Sequence, residues 1–254
     1  MEPKILVLDI ECAPSLVHVW KYWDTHVSPR QVLEHPHIMS FAAKWLNDPN
    51  IIYFENRKSD DKPIVEKLVY YLDEADIVVA HNGKKFDLPK IYGRALINGI
   101  KPPSPVKVVD TLMVARKKFG LPSNSLEYLC MALGTSIKKT SHKKFPGHEL
   151  WLECLRGNDE AWEEMKTYNI DDVLSLEEIY LKMLPWAEGH PNVSVYDNKD
   201  EVACPRCNSS DIQWRGYRHT DVGKYHRYQC NGCGSWSSSR YTLLSKNANL
   251  LKGI

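Results

Sequence analysis

The chain has 254 residues, of which 43% are hydrophobic and 26% charged, and its formal net charge is +1. This is ordinary usage for a soluble globular protein, with room for one large domain or for a medium domain plus a small one. No apolar run approaches the roughly 18 residues of a membrane span, and Met1-Glu2-Pro3-Lys4 lacks a signal-peptide layout. A soluble cytoplasmic protein is therefore expected.

Residues 4–10 read as a strand buried on both faces. Leu16 to Trp23 alternates like a half-buried strand, and Ile38–Trp45 and Ile51–Phe54 extend a meander. Asp60 and Asp61 precede Pro63 and an amphipathic stretch to Leu72, the pattern of a capped helix. Asp76–Ala80 is a further buried strand, and Leu88–Asn98 reads as a helix that stops near Gly99. Val106–Val109 is a short strand, after which Asp110 is placed to cap a helix through about Lys118. Ser125–Leu133 is a short helix, residues 135–149 a basic irregular loop, and Asn158 to Leu184 a long helix. Early strands followed by strand–helix alternation predict an α/β fold with a mixed sheet flanked by helices. Pro185, Gly189, Pro191 and the polar run Asn198–Glu201 mark a linker over 185–203.

The first strand ends in two carboxylates. Residues i and i+2 of a strand share a face, so Asp9 and Glu11 point together, where two carboxylates resist joint ionisation unless a cation lies between them. A second acidic position, Asp87, closes the string Asn82-x-x-x-Phe86-Asp87 after a later strand. A third lies on the long helix, where Tyr168 and Asp172, four apart, share a face. Asp171 adjoins Asp172 but lacks that spacing. Three distant segments thus bring four carboxylates within reach of one point, and hard divalent cations are the natural compensation.

This set of motifs resembles the DEDD superfamily of 3′–5′ exonucleases, whose fold is ribonuclease H-like; the tyrosine points to the DEDDy branch. The resemblance covers about residues 4–184, and Val109-Asp110-Thr111-Leu112 adds to it. It implies that Asp9, Glu11, Asp87 and Asp172 bind two Mg²⁺ or Mn²⁺ ions and that Tyr168 positions the attacking water in a two-metal hydrolysis. Asn82 and Phe86 are candidate substrate contacts. Backbone bonding is the alternative for Asn82, and core packing for Phe86.

Four of the seven cysteines form the pairs Cys204-x-x-Cys207 and Cys230-x-x-Cys233. Two such knuckles 22 residues apart are a zinc signature, and four thiolates leave no open position for water, so the Zn²⁺ is structural. The intervening stretch, with Gly216 and Gly223 as turn candidates, looks like two strands of a zinc ribbon. Cys12, Cys130 and Cys154 read as ordinary reduced thiols. Residues 204–254 carry eight Lys and Arg against two Asp, whereas the rest of the chain is net acidic. A basic segment rich in aromatics suits single-stranded nucleic acid. Trp214, Arg215, Arg218 and Arg227 in the ribbon, with Lys143 and Lys144 in the loop, are the candidate contacts.

The expected organisation is an exonuclease domain (1–184), a linker (185–203) and a ribbon with its tail (204–254). The expected function is 3′–5′ exonucleolysis, with single-stranded DNA favoured over RNA. A ribonuclease H-like endonuclease and a non-enzymatic nucleic-acid-binding protein are the alternatives.

Overall fold

A computed structural model describes residues 2–23, 26–137, 144–197, 201–245 and 250–251. The chain divides into two compact units, one of Lys4–Tyr180 and one of Met1–Pro3 with Leu181–Ile254.

The first unit begins with strand β1 (Ile5–Cys12), followed by the short pair β2 (Leu16–Val17) and β3 (Val32–Glu34). Strands β4 (Ile38–Trp45) and β5 (Ile51–Glu55) follow, then helix α1 (Lys62–Glu74), strand β6 (Ile77–Ala80) and helix α2 (Asp87–Ile97). Strand β7 (Lys107–Asp110) leads into α3 (Thr111–Lys118), α4 (Leu126–Leu133), α5 (Glu149–Leu155) and the long α6 (Asp159–Met183). No helix among the described residues is long and apolar enough to cross a membrane.

The sheet order is β5-β4-β1-β6-β7, with β1 in the middle. β1 runs antiparallel to β4 and parallel to β6, so the sheet is mixed. Its central strand is apolar on both faces because both are covered. Leu6, Leu8 and Ile10 pack with Phe41, Leu68, Leu72 and Ile91 beneath α1 and α2. Met39 of β4 instead joins Leu150, Trp162 and Met165 of α5 and α6.

Two polar ties fix α6 along β4. Ser40 Oγ donates to Asn169 Oδ1 at 3.2 Å, and Lys44 Nζ meets the Glu177 carboxylate at 2.6–2.7 Å. Four strand residues advance about 13 Å and eight helical residues about 12 Å. The two intervals match, so helix and strand run side by side in the same direction.

Three local expectations change. The Leu16–Trp23 alternation yields strand only at Leu16–Val17, and Trp20, Tyr22 and Trp23 are 94–98% exposed. Alternation makes a strand only where a partner strand and a covering layer exist. Asp61 precedes α1 but does not cap it. Its fully buried carboxylate instead accepts from the Ile38 amide (3.0 Å), Arg94 (2.7 Å twice) and Asn98 (2.9 Å). The 135–149 loop gives way to a helix, α5, from Glu149.

In the second unit, Val193 is buried and its amide donates to Pro205 O, while Asn208 Nδ2 donates to Asp197 Oδ2. This part of the 185–203 stretch therefore folds onto the first cysteine knuckle. Strands β8 (Ile212–Thr220), β9 (Gly223–Cys230) and β10 (Trp236–Ser238) form a sheet of order β10-β9-β8. Thr220 pairs with Gly223, so Asp221 and Val222 make the turn. Gly216 is not a turn residue. It lies where the register shifts between Trp214 and Tyr217, at φ +82°, a left-handed value that glycine adopts without a Cβ penalty.

Candidate metal centre and nucleic-acid interface

The β1–β6 ladder ends at the Val7–Val79 pair, so Asp9 and Glu11 lie beyond it on the strand's C-terminal half. Both side chains are half-buried, on the face opposite Leu8 and Ile10. α6 brings the buried Asp172 to the same place. Ligand oxygens of Asp9, Glu11 and Asp172 all lie within 4.8 Å of one another. Oxygens bound to one hard cation at about 2.0–2.6 Å are at most about 4–5 Å apart. The spacing and the all-oxygen donor set therefore fit a divalent cation.

Asp87 is not in that trio. Its Oδ1 accepts the Ile10 amide at 3.2 Å, which ties the start of α2 to β1. Burial pushes the Asp87 carboxyl up to about 7, with the nearby Asp110 adding to the shift and the amides of Ile10 and Asp87 opposing it. The loop before it, 81–86, is held from β7. Asp110 accepts from the amides of Asn82 (3.1 Å) and Lys84 (3.2 Å) while capping α3 at Met113 (3.2 Å). Asn82 sits at φ +67°, and its carbonyl accepts from Lys85 and Phe86. A Cβ on Gly83 would come 2.3 Å from Ala80 Cβ, so this turn requires glycine. Phe86 is 39% exposed, with Lys90 Nζ 5.9 Å from its ring centroid, so it is not a core residue.

Two residues at the centre carried no signal in the sequence. Trp151 of α5 donates its indole N–H to Glu11 Oε2 at 3.1 Å and meets the Tyr168 ring edge-on, with centroids 5.9 Å apart. Asn169, fully buried, donates to Asp9 Oδ2 at 2.7 Å and to the Asp9 carbonyl at 3.3 Å. Asn169 was readable only as the neighbour of Tyr168, and Trp151 only as one aromatic of a short apolar stretch.

The four cysteines of the second unit also converge. Their sulfurs lie within 4.8 Å of one another, with Cys204–Cys233 and Cys207–Cys230 each at 3.7 Å. Sulfurs at the corners of a tetrahedron around zinc, at about 2.3 Å from it, are about 3.8 Å apart. The cluster fits a zinc ribbon. At Cys204 burial works to raise the thiol pKa. The Ser235 hydroxyl, the amides of Arg206 and Cys207, and Cys233 outweigh it and bring the value down to about 7.

Register gives the ribbon sheet two different faces. Trp214 lies opposite Tyr228 and Tyr217 opposite His226, and these four rings pack at 5.7–6.5 Å. On the other face Arg218 donates to Ser238, and the Arg227 guanidinium stacks 5.0 Å over Trp236. Arg227 also donates to the Arg215 carbonyl, and Arg215 to Gln229. Lys144 pairs with Glu160, and Lys143 lies outside the described residues.

A mixed five-stranded sheet with a carboxylate cluster at the end of its central strand is a ribonuclease H-like architecture. The chain belongs to the RNase_H superfamily: the superfamily's RNase_H_2 model matches residues 34–184, which include Asp87, Tyr168 and Asp172 but not Asp9 and Glu11. Among solved structures it is similar to the family B DNA polymerase from the hyperthermophilic archaeon Pyrobaculum calidifontis, at 17% identity and a TM-score of 0.49. That match covers 72% of this chain and 26% of the polymerase. No curated protein matches the sequence. The fold and the superfamily support a nuclease-type function with a nucleic-acid substrate.

Proposed function

We propose that the protein is a metal-dependent 3′–5′ exonuclease of the DEDDy type, acting on single-stranded nucleic acid and on DNA before RNA. The observation that carries this reading is the approach of Asp9, Glu11 and Asp172 to within 4.8 Å. Asp9 and Glu11 come from one strand and Asp172 from a helix more than 150 residues later, and an uncompensated trio of this kind is electrostatically unfavourable.

In this reading Asp9, Glu11, Asp87 and Asp172 hold two Mg²⁺ or Mn²⁺ ions. Such ions, when bound, supply the charge that lowers the pKa of water and stabilises the departing 3′ oxygen. Asp87 links the loop 82–86 to β1, so that loop borders the scissile phosphate. A free tyrosine side chain titrates near about 10, too high for an efficient base near neutrality, so in this reading the Tyr168 hydroxyl orients the water. The cysteines hold one structural Zn²⁺. The ribbon contributes stacking surface through Trp214 and its neighbours, and phosphate contacts through Arg215, Arg218 and Arg227.

The test is digestion of 5′-labelled single-stranded DNA and RNA with Mg²⁺ or Mn²⁺, beside an Asp9→Ala control. A ladder shortening from the 3′ end, absent in the control, is expected. Discrete internal products would replace this reading with an endonuclease. Binding without cleavage would leave only a nucleic-acid-binding protein.

A further inference from the structure

We infer that Trp151 and Asn169 are positioning residues that preset Glu11 and Asp9 for cation binding before any cation arrives. The inference rests on the proposed metal site and concerns how this chain builds it.

Each carboxylate at the end of β1 has one oxygen engaged by a neutral donor. Trp151 Nε1 donates to Glu11 Oε2 at 3.1 Å, and Asn169 Nδ2 to Asp9 Oδ2 at 2.7 Å. Hydrogen bonds to an ionised acceptor are among the stronger ones in proteins. They also restrict rotation of the carboxylate about its last torsion, which is otherwise broad. The donors are themselves fixed. Asn169 is fully buried, and its own oxygen accepts from Ser40 Oγ at 3.2 Å. Trp151 packs against the cluster of Met39, Leu150, Trp162 and Met165 and lies edge-on to Tyr168.

The chemistry of the donors matters as much as their position. A lysine or arginine at either place would also hold the carboxylate, but its charge would oppose a cation beside it. An indole and a carboxamide hold the same oxygens and leave the carboxylate charge intact. Outer donors of this kind typically account for 10–100-fold in metal affinity. The edge contact between Trp151 and Tyr168 further ties the orientation of Glu11 to that of the tyrosine.

The test uses the zinc-loaded full chain without nucleic acid, titrated with Mn²⁺ by calorimetry and by the loss of the free-ion EPR signal. Trp151→Phe keeps a ring beside Tyr168 and removes the N–H. It should weaken Mn²⁺ binding at least tenfold while the melting temperature of the zinc-loaded chain without added Mn²⁺ stays near that of the parent. Asn169→Ala should do the same to Asp9. Should that variant fail to fold, Trp151→Phe decides alone. A Trp151→Phe dissociation constant within threefold of the parent overturns the inference. If the parent binds no Mn²⁺, or Asp9→Ala binds it as well as the parent, the metal-site reading itself fails, and the two failures are thereby distinguished.

Discussion

Replacing Asp61 by alanine should destabilise the first unit severely. The Asp61 carboxylate has a side-chain exposure of 0%, against 17% for its partner Arg94. It accepts two bonds from that guanidinium at 2.7 Å, one from Asn98 and one from the Ile38 amide. Removing one member of a buried pair typically costs about 3–5 kcal/mol. The low end of that range applies here, because Arg94 retains some access to water. The buried Ile38 amide also loses its acceptor, about 1–3 kcal/mol in its own right. The loss is shared rather than additive, so about 3–5 kcal/mol stands as the total. At about 2–4 °C per kcal/mol, the melting temperature should fall by roughly 6–20 °C. The pH dependence follows. Burial alone would raise the Asp61 pKa, but Arg94, the Ile38 amide and Asn98 together hold it below the ordinary carboxylate value. A depressed folded-state pKa gives stability that is present above the unfolded value, about 3.9, and lost as pH falls through the folded one. The variant should therefore lie below the parent at pH 7, with the gap closing in acid below about pH 4. Calorimetric scans from pH 7 to pH 3 measure both quantities. A drop under 2 °C at pH 7, or a gap that does not change with pH, would refute this account.

Three further outcomes are expected. Cys230→Ser, or a strong chelator, should abolish the ribbon's β-structure, since structural zinc in small domains contributes about 10–16 kcal/mol. Protease should then cleave within 204–245 while the Lys4–Tyr180 unit persists, and an intact metal-free ribbon would contradict this. Gly83→Ala must displace Ala80 Cβ from 2.3 Å, at a cost of about 1–3 kcal/mol from overpacking. Cleavage rate should fall more than melting temperature, and an unchanged rate would show that the loop does not border the chemistry. Arg218→Ala should weaken binding of single-stranded DNA similarly for all sequences and lower the magnitude of the salt slope by about one, as measured by fluorescence anisotropy.

What the sequence revealed depended on distance along the chain. β1 and β6 were readable because a strand buried on both faces leaves a continuous apolar run, and the helices after Asp110 and Ser125 because each begins at a residue that caps it. The carboxylates were readable by their i, i+2 and i, i+4 spacings. Trp151 was not, because its partner Glu11 lies 140 residues away and nothing local distinguishes it from a core tryptophan. Asp61 resembled a cap because buried and solvated aspartates look alike before Arg94 and Asn98 are placed beside it. Gly216 resembled a turn because a bulge and a turn ask the same left-handed backbone of glycine.

Asn169 and Asp9 meet across 160 residues. Synthesis at about 5–20 residues per second therefore separates the first carboxylate of the cluster from the last by roughly 8–30 s. Throughout that interval the nascent chain carries two of the three clustered carboxylates but not the helix that completes the trio. The cluster of three carboxylates therefore assembles only after α6 has folded back beside the first strand.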